Sequence, residues 1–259
     1  MAAPKTLTVP ANFLSIPGVR SLPLDIAAVT NPTRSMRRIS FTGSALDDFE
    51  FEPGQDLMVP LSADGERTIS RRYTIRQFDR SKRLIDLDIV LHGDGPGVRW
   101  AGAVQQGDRV ELAGPRGKIL LDPDADWHLF AGDETAVPVT FAMIEALAAG
   151  VPALAYLEVD RRDDDQPFSF ELGPKRQVVW LHRGDTPAAQ STLLAGALAS
   201  AKLPAGRGHA YVNGEVGLAS ALRRTLLARG LSPEQVSAKA YWGLGKANGG
   251  HGEPLDRAA

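Results

Sequence analysis

Four stretches of this chain carry side chains and glycines of the kind that hold phosphates and flat heterocycles. In Arg71-Arg72-Tyr73-Thr74-Ile75-Arg76, alternation along an extended strand puts Arg71 and Tyr73 on one face, with a hydroxyl beside them at Thr74. A guanidinium can clamp a phosphate bidentately and an aromatic ring can cover a planar heterocycle. The alternative is that Arg71 and Arg72 pair with surface carboxylates while Tyr73 packs in a core. The stretch His92-Gly93-Asp94-Gly95-Pro96-Gly97-Val98-Arg99-Trp100 is rich in glycine and leads toward a short helix, so its backbone can approach a phosphate closely. A lone His92 in such a loop is more often capped or packed than catalytic.

The other two stretches, Ala131-Gly132-Asp133-Glu134-Thr135-Ala136 and Asn213-Gly214-Glu215-Val216-Gly217, each follow an apolar run and open a helical pattern. Helix N-termini at strand ends offer unpaired N–H groups to anions. Neither loop has the G-x-G-x-x-G spacing of a dinucleotide fold, nor do Gly93, Gly95 and Gly97. Taken singly, each is more readily read as ordinary helix capping by Asp133, Thr135 or Asn213.

Composition removes other chemistries. With no cysteine there is no disulfide, thiolate zinc site, cysteine-ligated iron–sulfur cluster or thiol nucleophile, and five scattered histidines make no metal-ligand pattern. The 29 basic and 31 acidic residues give a net charge of −2, so nothing draws the whole chain to nucleic acid or an acidic membrane, and any anion site must be local. Hydrophobic residues at 43% support a real core, yet no apolar run reaches the roughly 20 residues that span a bilayer. Met1 to Leu14 lacks the pattern of a secretory signal, which points to a cytoplasmic protein.

The elements that must position these loops fall into two kinds. Leu57/Val59/Leu61, Tyr73/Ile75 and Leu87/Ile89/Leu91 alternate with period 2, punctuated by Pro53-Gly54, Asp64-Gly65, Gly93-Asp94-Gly95 and Gly107-Asp108, which predicts an antiparallel β-barrel over residues 1–122. After Pro123 the grammar becomes strand, turn, helix. Trp127 to Ala131, Ala153 to Val159, Val178 to Leu181 and Tyr211-Val212 are apolar runs, and between and after them lie helical stripes on Val137/Phe141/Ile144/Ala148, Leu194/Ala197/Leu198/Ala201 and Leu218/Leu222/Leu226. An α/β domain with a parallel sheet is expected over 123–245, a tail over 246–259, and a solvated acidic loop from Asp160 to Gln166.

The ordered set Arg71-x-Tyr73-Thr74, His92-Gly93-Asp94-Gly95-Pro96, Ala113-Gly114-Pro115-Arg116-Gly117, Ala131-Gly132-Asp133-Glu134-Thr135-Ala136-x-Pro138, Gly214-Glu215 and Ala240-Tyr241-Trp242 closely resembles the siderophore-interacting protein family over roughly Leu22 to Lys246. That family comprises FAD-containing ferric-siderophore reductases related to ferredoxin–NADP reductases. The resemblance implies that Arg71, Tyr73 and Thr74 form the flavin motif, that His92, Gly95, Gly97, Val98 and Trp100 belong to the loop and helix start around the FAD pyrophosphate, and that Trp242 lies near the flavin. It implies NADH or NADPH at Gly132, Asp133, Glu134, Thr135, Gly214 and Glu215. Val98 departs from the Ser or Thr common in related flavoproteins, so backbone N–H groups would have to serve there.

The activity so implied is electron transfer from NAD(P)H through FAD to a ferric siderophore, with no catalytic acid–base pair and no resident metal. Anionic ferric chelates call for local cations, and Arg38, Arg76 and Lys246 are the candidates, each of which reads equally well as a solvated surface cation. A flavin relay reduced by a ferredoxin-like partner and a non-enzymatic siderophore carrier are the alternatives.

Overall fold

The computed structural model describes residues 9–64, 67–168, 170, 172 and 175–243. It divides between Leu120 and Leu121 into two compact units.

In the first unit, a short helix α1 (Ala11–Leu14) precedes six strands: β1 (Arg20–Thr33), β2 (Met36–Thr42), β3 (Asp56–Asp64), β4 (Arg67–Asp79), β5 (Leu84–Val90) and β6 (Arg109–Arg116). They close into an antiparallel barrel in the order β1-β2-β5-β4-β3-β6. Period-2 alternation fills its interior with Leu22, Leu24, Ile26, Ile39, Phe41, Leu57, Val59, Ile75, Ile85, Leu87 and Ile89, each at most 3% exposed. Each such side chain contributes about 1.5–3 kcal/mol by leaving water. The β2–β5 register, with Ile39 opposite Leu87 and Phe41 opposite Ile85, turns Arg38 and Asp88 together onto the other face. The helix α2 (Pro96–Ala103) follows β5; Pro96 suits its first turn, where an N–H would be unused.

The second unit follows βα order: β7 (Trp127–Gly132), α3 (Val137–Ala146), β8 (Ala153–Val159), β9 (Arg176–His182), α4 (Leu193–Ser200), β10 (Gly208–Glu215), α5 (Val216–Ala228) and β11 (Val236–Trp242). All five strands are parallel, in the order β11-β10-β7-β8-β9. The chain moves outward from β7 through β8 to β9, then crosses back to β10 on the other side of β7, so the order reverses between β7 and β10. At such a reversal the loops leaving the two strands diverge to opposite faces and open a crevice at the carboxyl ends. Both strands are buried along their whole length, as central parallel strands must be.

The acidic segment after β8 differs from its expectation of full solvation. Residues Arg162–Asp164 form a 3₁₀ turn, Asp164 and Gln166 are buried, and Asp160 joins an ion-pair network described below. Asp160 is drawn in by Arg183, which follows β9 and whose buried guanidinium needs carboxylate partners.

Candidate functional site

The first constellation lies in the barrel unit, where β4 meets the N-terminal turn of α2. Gly97, in that turn, packs so closely on Tyr73 that a Cβ would run into the Tyr73 hydroxyl and fall 3.5 Å from Arg71 Cγ. Strand alternation thus delivers Arg71 and Tyr73 to the same helix start, while Arg72 turns away to a largely buried pairing with Asp56 at 3.8 Å. Burial pushes the Tyr73 phenol well above its ordinary range, so it stays a neutral O–H. Gly93, at φ +69°, and Gly95 face open space. Arg99 braces the loop, donating to the Asp94 carbonyl at 2.8 Å and to its carboxylate at 3.0 Å. Thr74 lies opposite Asp56 in the β3–β4 ladder, His92 and Val98 are half-buried, and Trp100 packs on the barrel core. A guanidinium stem, a phenol and a helix N-terminus beside two glycines with open space around them suit the pyrophosphate and ring of a flavin dinucleotide. The residues fit FAD.

The second constellation occupies the carboxyl edge of the parallel sheet at the β7/β10 reversal. Gly132 and Asn213 are register partners, and a Cβ on Gly132 would strike the Asn213 carbonyl and the Ala136 side chain. Glycine is what lets the two loops lie side by side. Gly214, at φ +136°, is likewise required, since a Cβ there would sit 2.6 Å from Asp133 Oδ2.

Asp133 is fully buried and holds this edge together. Its Oδ1 accepts from the Thr135 N–H at 2.9 Å and from the Thr135 hydroxyl, and its Oδ2 accepts from the Glu215 N–H at 2.7 Å and from the Trp242 indole at 2.9 Å. One carboxylate therefore ties together the ends of β7, β10 and β11. The capping alternative holds for Asp133, but α5 is capped by Glu215, whose Oε2 accepts from Gly217 and Leu218 N–H, and not by Asn213. Asn213 is 3% exposed, and its Oδ1 has no hydrogen-bond partner among the described residues.

Glu134 turns to Arg183, whose guanidinium donates to its two carboxylate oxygens at 2.7 and 2.9 Å. Burial and the neighbouring Asp133 charge push the Glu134 carboxyl up to about 7, against the opposing pull of Arg183. Arg183 also reaches Asp160 at 2.5 Å and lies 4.0 Å from Glu158, itself held by the Ser191 hydroxyl at 2.8 Å. Sequence reading missed Arg183, Glu158 and Asp160; their one signal was position, since each ends or follows β8 or β9 at the ligand-bearing edge.

The candidate substrate cations are placed differently from an open basic patch. Arg38 makes a bidentate pair with Asp88, both bonds 2.7 Å, and sits 4.0 Å from Asp86. Arg76 is buried, and its charge acts on the same Asp86. The barrel ladder thus matches these guanidiniums with carboxylates instead of presenting them alone. Lys246 lies outside the described residues.

A closed antiparallel barrel followed by a five-stranded parallel sheet is the two-domain ferredoxin–NADP reductase-like fold. Residues 125–245 match the family model described as siderophore-interacting protein, and residues 60–119 match the siderophore-interacting FAD-binding domain. The chain is 32% identical to the ferric vibriobactin reductase ViuB of Vibrio cholerae, across 86% of this chain and 89% of that one. It is 27% identical to the NADPH-dependent ferric-chelate reductase of Escherichia coli, across 85% and 91%. A siderophore utilization protein from T. fusca superposes with a TM-score of 0.81 at 30% identity, over 90% of this chain and 97% of that one. The chain belongs to the siderophore-interacting protein family.

Proposed function

We propose that this protein is an FAD-dependent reductase that takes a hydride from NADH or NADPH and passes electrons to the iron of a ferric siderophore, acting in the cytoplasm. The convergence of Arg71 and Tyr73 on Gly97 carries the reading: family membership supplies the cofactor class, and this packing supports a site for it at the start of α2. Bound FAD supplies the conversion of a hydride into single electrons, chemistry that no side chain here can perform.

The chain's own residues bind and orient. Arg71 offers a cation to the pyrophosphate, joined by backbone N–H groups at the start of α2, with Val98 contributing no hydroxyl. Tyr73, kept neutral by burial, presents its ring and a hydrogen bond without adding charge. At the sheet edge, Gly132 and Gly214 keep the strand ends bare enough for a nucleotide to approach, and Asp133 fixes Thr135 and Glu215 by their backbone N–H groups. A chelate of hard oxygen donors holds ferrous ion less tightly than ferric, so reduction loosens the metal for capture elsewhere. The ferric-chelate reductase activities for which its relatives are named support this reading, and no helix among the described residues is long and apolar enough to cross a membrane.

The test separates the two half-reactions. FAD-loaded protein mixed anaerobically with NADH or NADPH should lose its oxidised flavin absorbance, and a ferric siderophore added with a ferrous trap should restore it as trapped iron accumulates. Flavin bleached by neither nucleotide returns the flavin relay, and a chain that retains no flavin returns the carrier.

A further inference from the structure

We propose that the nucleotide edge of this protein selects NADH over NADPH, with Asp160 as the acceptor for the adenosine ribose and Arg183 withheld from any 2′-phosphate. The inference rests on the reading that this sheet edge takes a nicotinamide nucleotide, and goes beyond it by naming which one.

Topology places the adenosine end. With β7 as the first strand and the crevice at the β7/β10 reversal, the next strand outward is β8. In the glycine-fingerprint dinucleotide folds, whose fingerprint this chain lacks but whose strand reversal it shares, an acidic residue following the second strand accepts the ribose hydroxyls of an unphosphorylated nucleotide, whereas an available arginine accommodates a 2′-phosphate. Here the chain leaving β8 carries Asp160, whose side chain is 45% exposed, and the neighbouring β9 leads to Arg183, which is 5% exposed.

Arg183 is the guanidinium that reaches Asp160, and its Nη donors are already used, while its Nε is buried without a hydrogen-bond partner among the described residues. Glu134 takes one Nη1 and one Nη2 bond, Asp160 takes a second from Nη2, and the Glu158 carbonyl lies 3.4 Å from Nη1. To bind a phosphate, it would have to abandon a buried bidentate carboxylate, leaving Glu134 uncompensated in a dry site. The electrostatic background points the same way. Glu134, Glu158 and Asp160 surround one arginine, so a phosphate dianion would enter a field that is already rich in carboxylates. A ribose diol has the opposite requirement, because its hydroxyls need acceptors.

Two further cations follow on the loop. Arg161 is held by Asp185 at 2.7 Å, and Arg162 is exposed beside Asp163, Asp164 and Asp165. Arg162 is the residue through which the inference can fail, and the probes below report on it directly.

The experiment is calorimetric titration of the FAD-loaded protein with NAD⁺, NADP⁺, 5′-AMP and 2′,5′-ADP. The expected result is that NAD⁺ binds at least about tenfold more tightly than NADP⁺, that 5′-AMP outcompetes 2′,5′-ADP, and that Asp160→Asn narrows the NAD⁺/NADP⁺ ratio. Asp160 is half-exposed, so this variant should fold, and the ratio in the unaltered protein tests the idea without it. Equal or tighter binding of NADP⁺ and 2′,5′-ADP, lost in Arg162→Ala, overturns the selectivity while leaving the nucleotide site standing. No binding of any of the four, together with no flavin bleaching by either dinucleotide, overturns both.

Discussion

The indole N–H of Trp242 donates to Asp133 Oδ2 at 2.9 Å, joining residues 109 positions apart. That bond pins the last described strand to the loop after β7, so the aromatic expected beside the flavin is also part of the nucleotide edge's scaffold. Trp242→Phe keeps an aromatic ring, though a smaller one, and deletes the donor. The variant should lose about 1.5–3 kcal/mol of stability, the range for a hydrogen bond to a charged group, read from denaturant unfolding. Asp133→Asn should raise the KM for the nicotinamide nucleotide severalfold while the retained FAD is unchanged, since the two features lie in different units.

Gly95 and Gly97 separate cofactor contact from packing. A methyl at Gly95 meets no protein atom within 4 Å and its φ of −75° is ordinary, so Gly95→Ala should leave the stability of the flavin-stripped protein within about 0.5 kcal/mol while weakening FAD retention. Gly97→Ala forces Tyr73 aside and should lower both. Flavin remaining after gel filtration and the melting temperature of the stripped protein distinguish the two outcomes.

Acid should weaken the α/β unit through its buried histidines. His128 is 3% exposed, packed against the stacked rings of Phe130 and Tyr211, and burial depresses its pKa below 6.5, with the charge of His209 acting in the same direction. Below pH 6.5 the unfolded chain therefore takes up protons before the folded one does, and stability falls as pH drops toward the folded pKa. The slope attributable to one such group is at most about 1.4 kcal/mol per pH unit. His128→Phe preserves the aromatic packing and should flatten the dependence below pH 6.5. An unchanged slope would assign it to His209, which burial also depresses.

Asp88 decides whether Arg38 can serve the substrate. Asp88→Asn keeps the shape but removes the matching charge, and if Arg38 attracts an anionic ferric chelate, the KM for that chelate should fall about threefold at low salt, with the gain vanishing at high salt. Reduction of the flavin by nucleotide should be unaffected. If KM stays constant while stability drops, Arg38 belongs to the barrel alone.

How much of this was readable from sequence depended on the range of the interaction. Leu57/Val59/Leu61 and Leu87/Ile89 announced their strands because alternation is local, and Ala153 to Val159 marks β8 to the residue. Leu22, Leu24 and Ile26 alternate equally well in β1, a strand the sequence reading did not single out, and Pro23 within that run is seated opposite Glu111 of β6 by barrel closure. The two loops could be named from sequence, but the roles of their acids could not. Asp133, Glu134 and Glu215 look alike as loop carboxylates, and only the register of β10 on β7 and the arrival of Arg183 from β9 decide which caps, which pairs and which ties strands together.

Closure of the barrel has a bearing on self-association. Its six strands leave no unpaired edge, whereas the parallel sheet ends on β9 at one side and β11 at the other. An open edge strand is a template for pairing with a second polypeptide, so among the described residues strand exchange and aggregation have only these two points of entry, both in the second unit. Mild destabilisation of that unit should therefore drive precipitation more readily than equal destabilisation of the barrel, and a charge placed on the outer face of β9 would be the economical way to keep a weakened variant in solution.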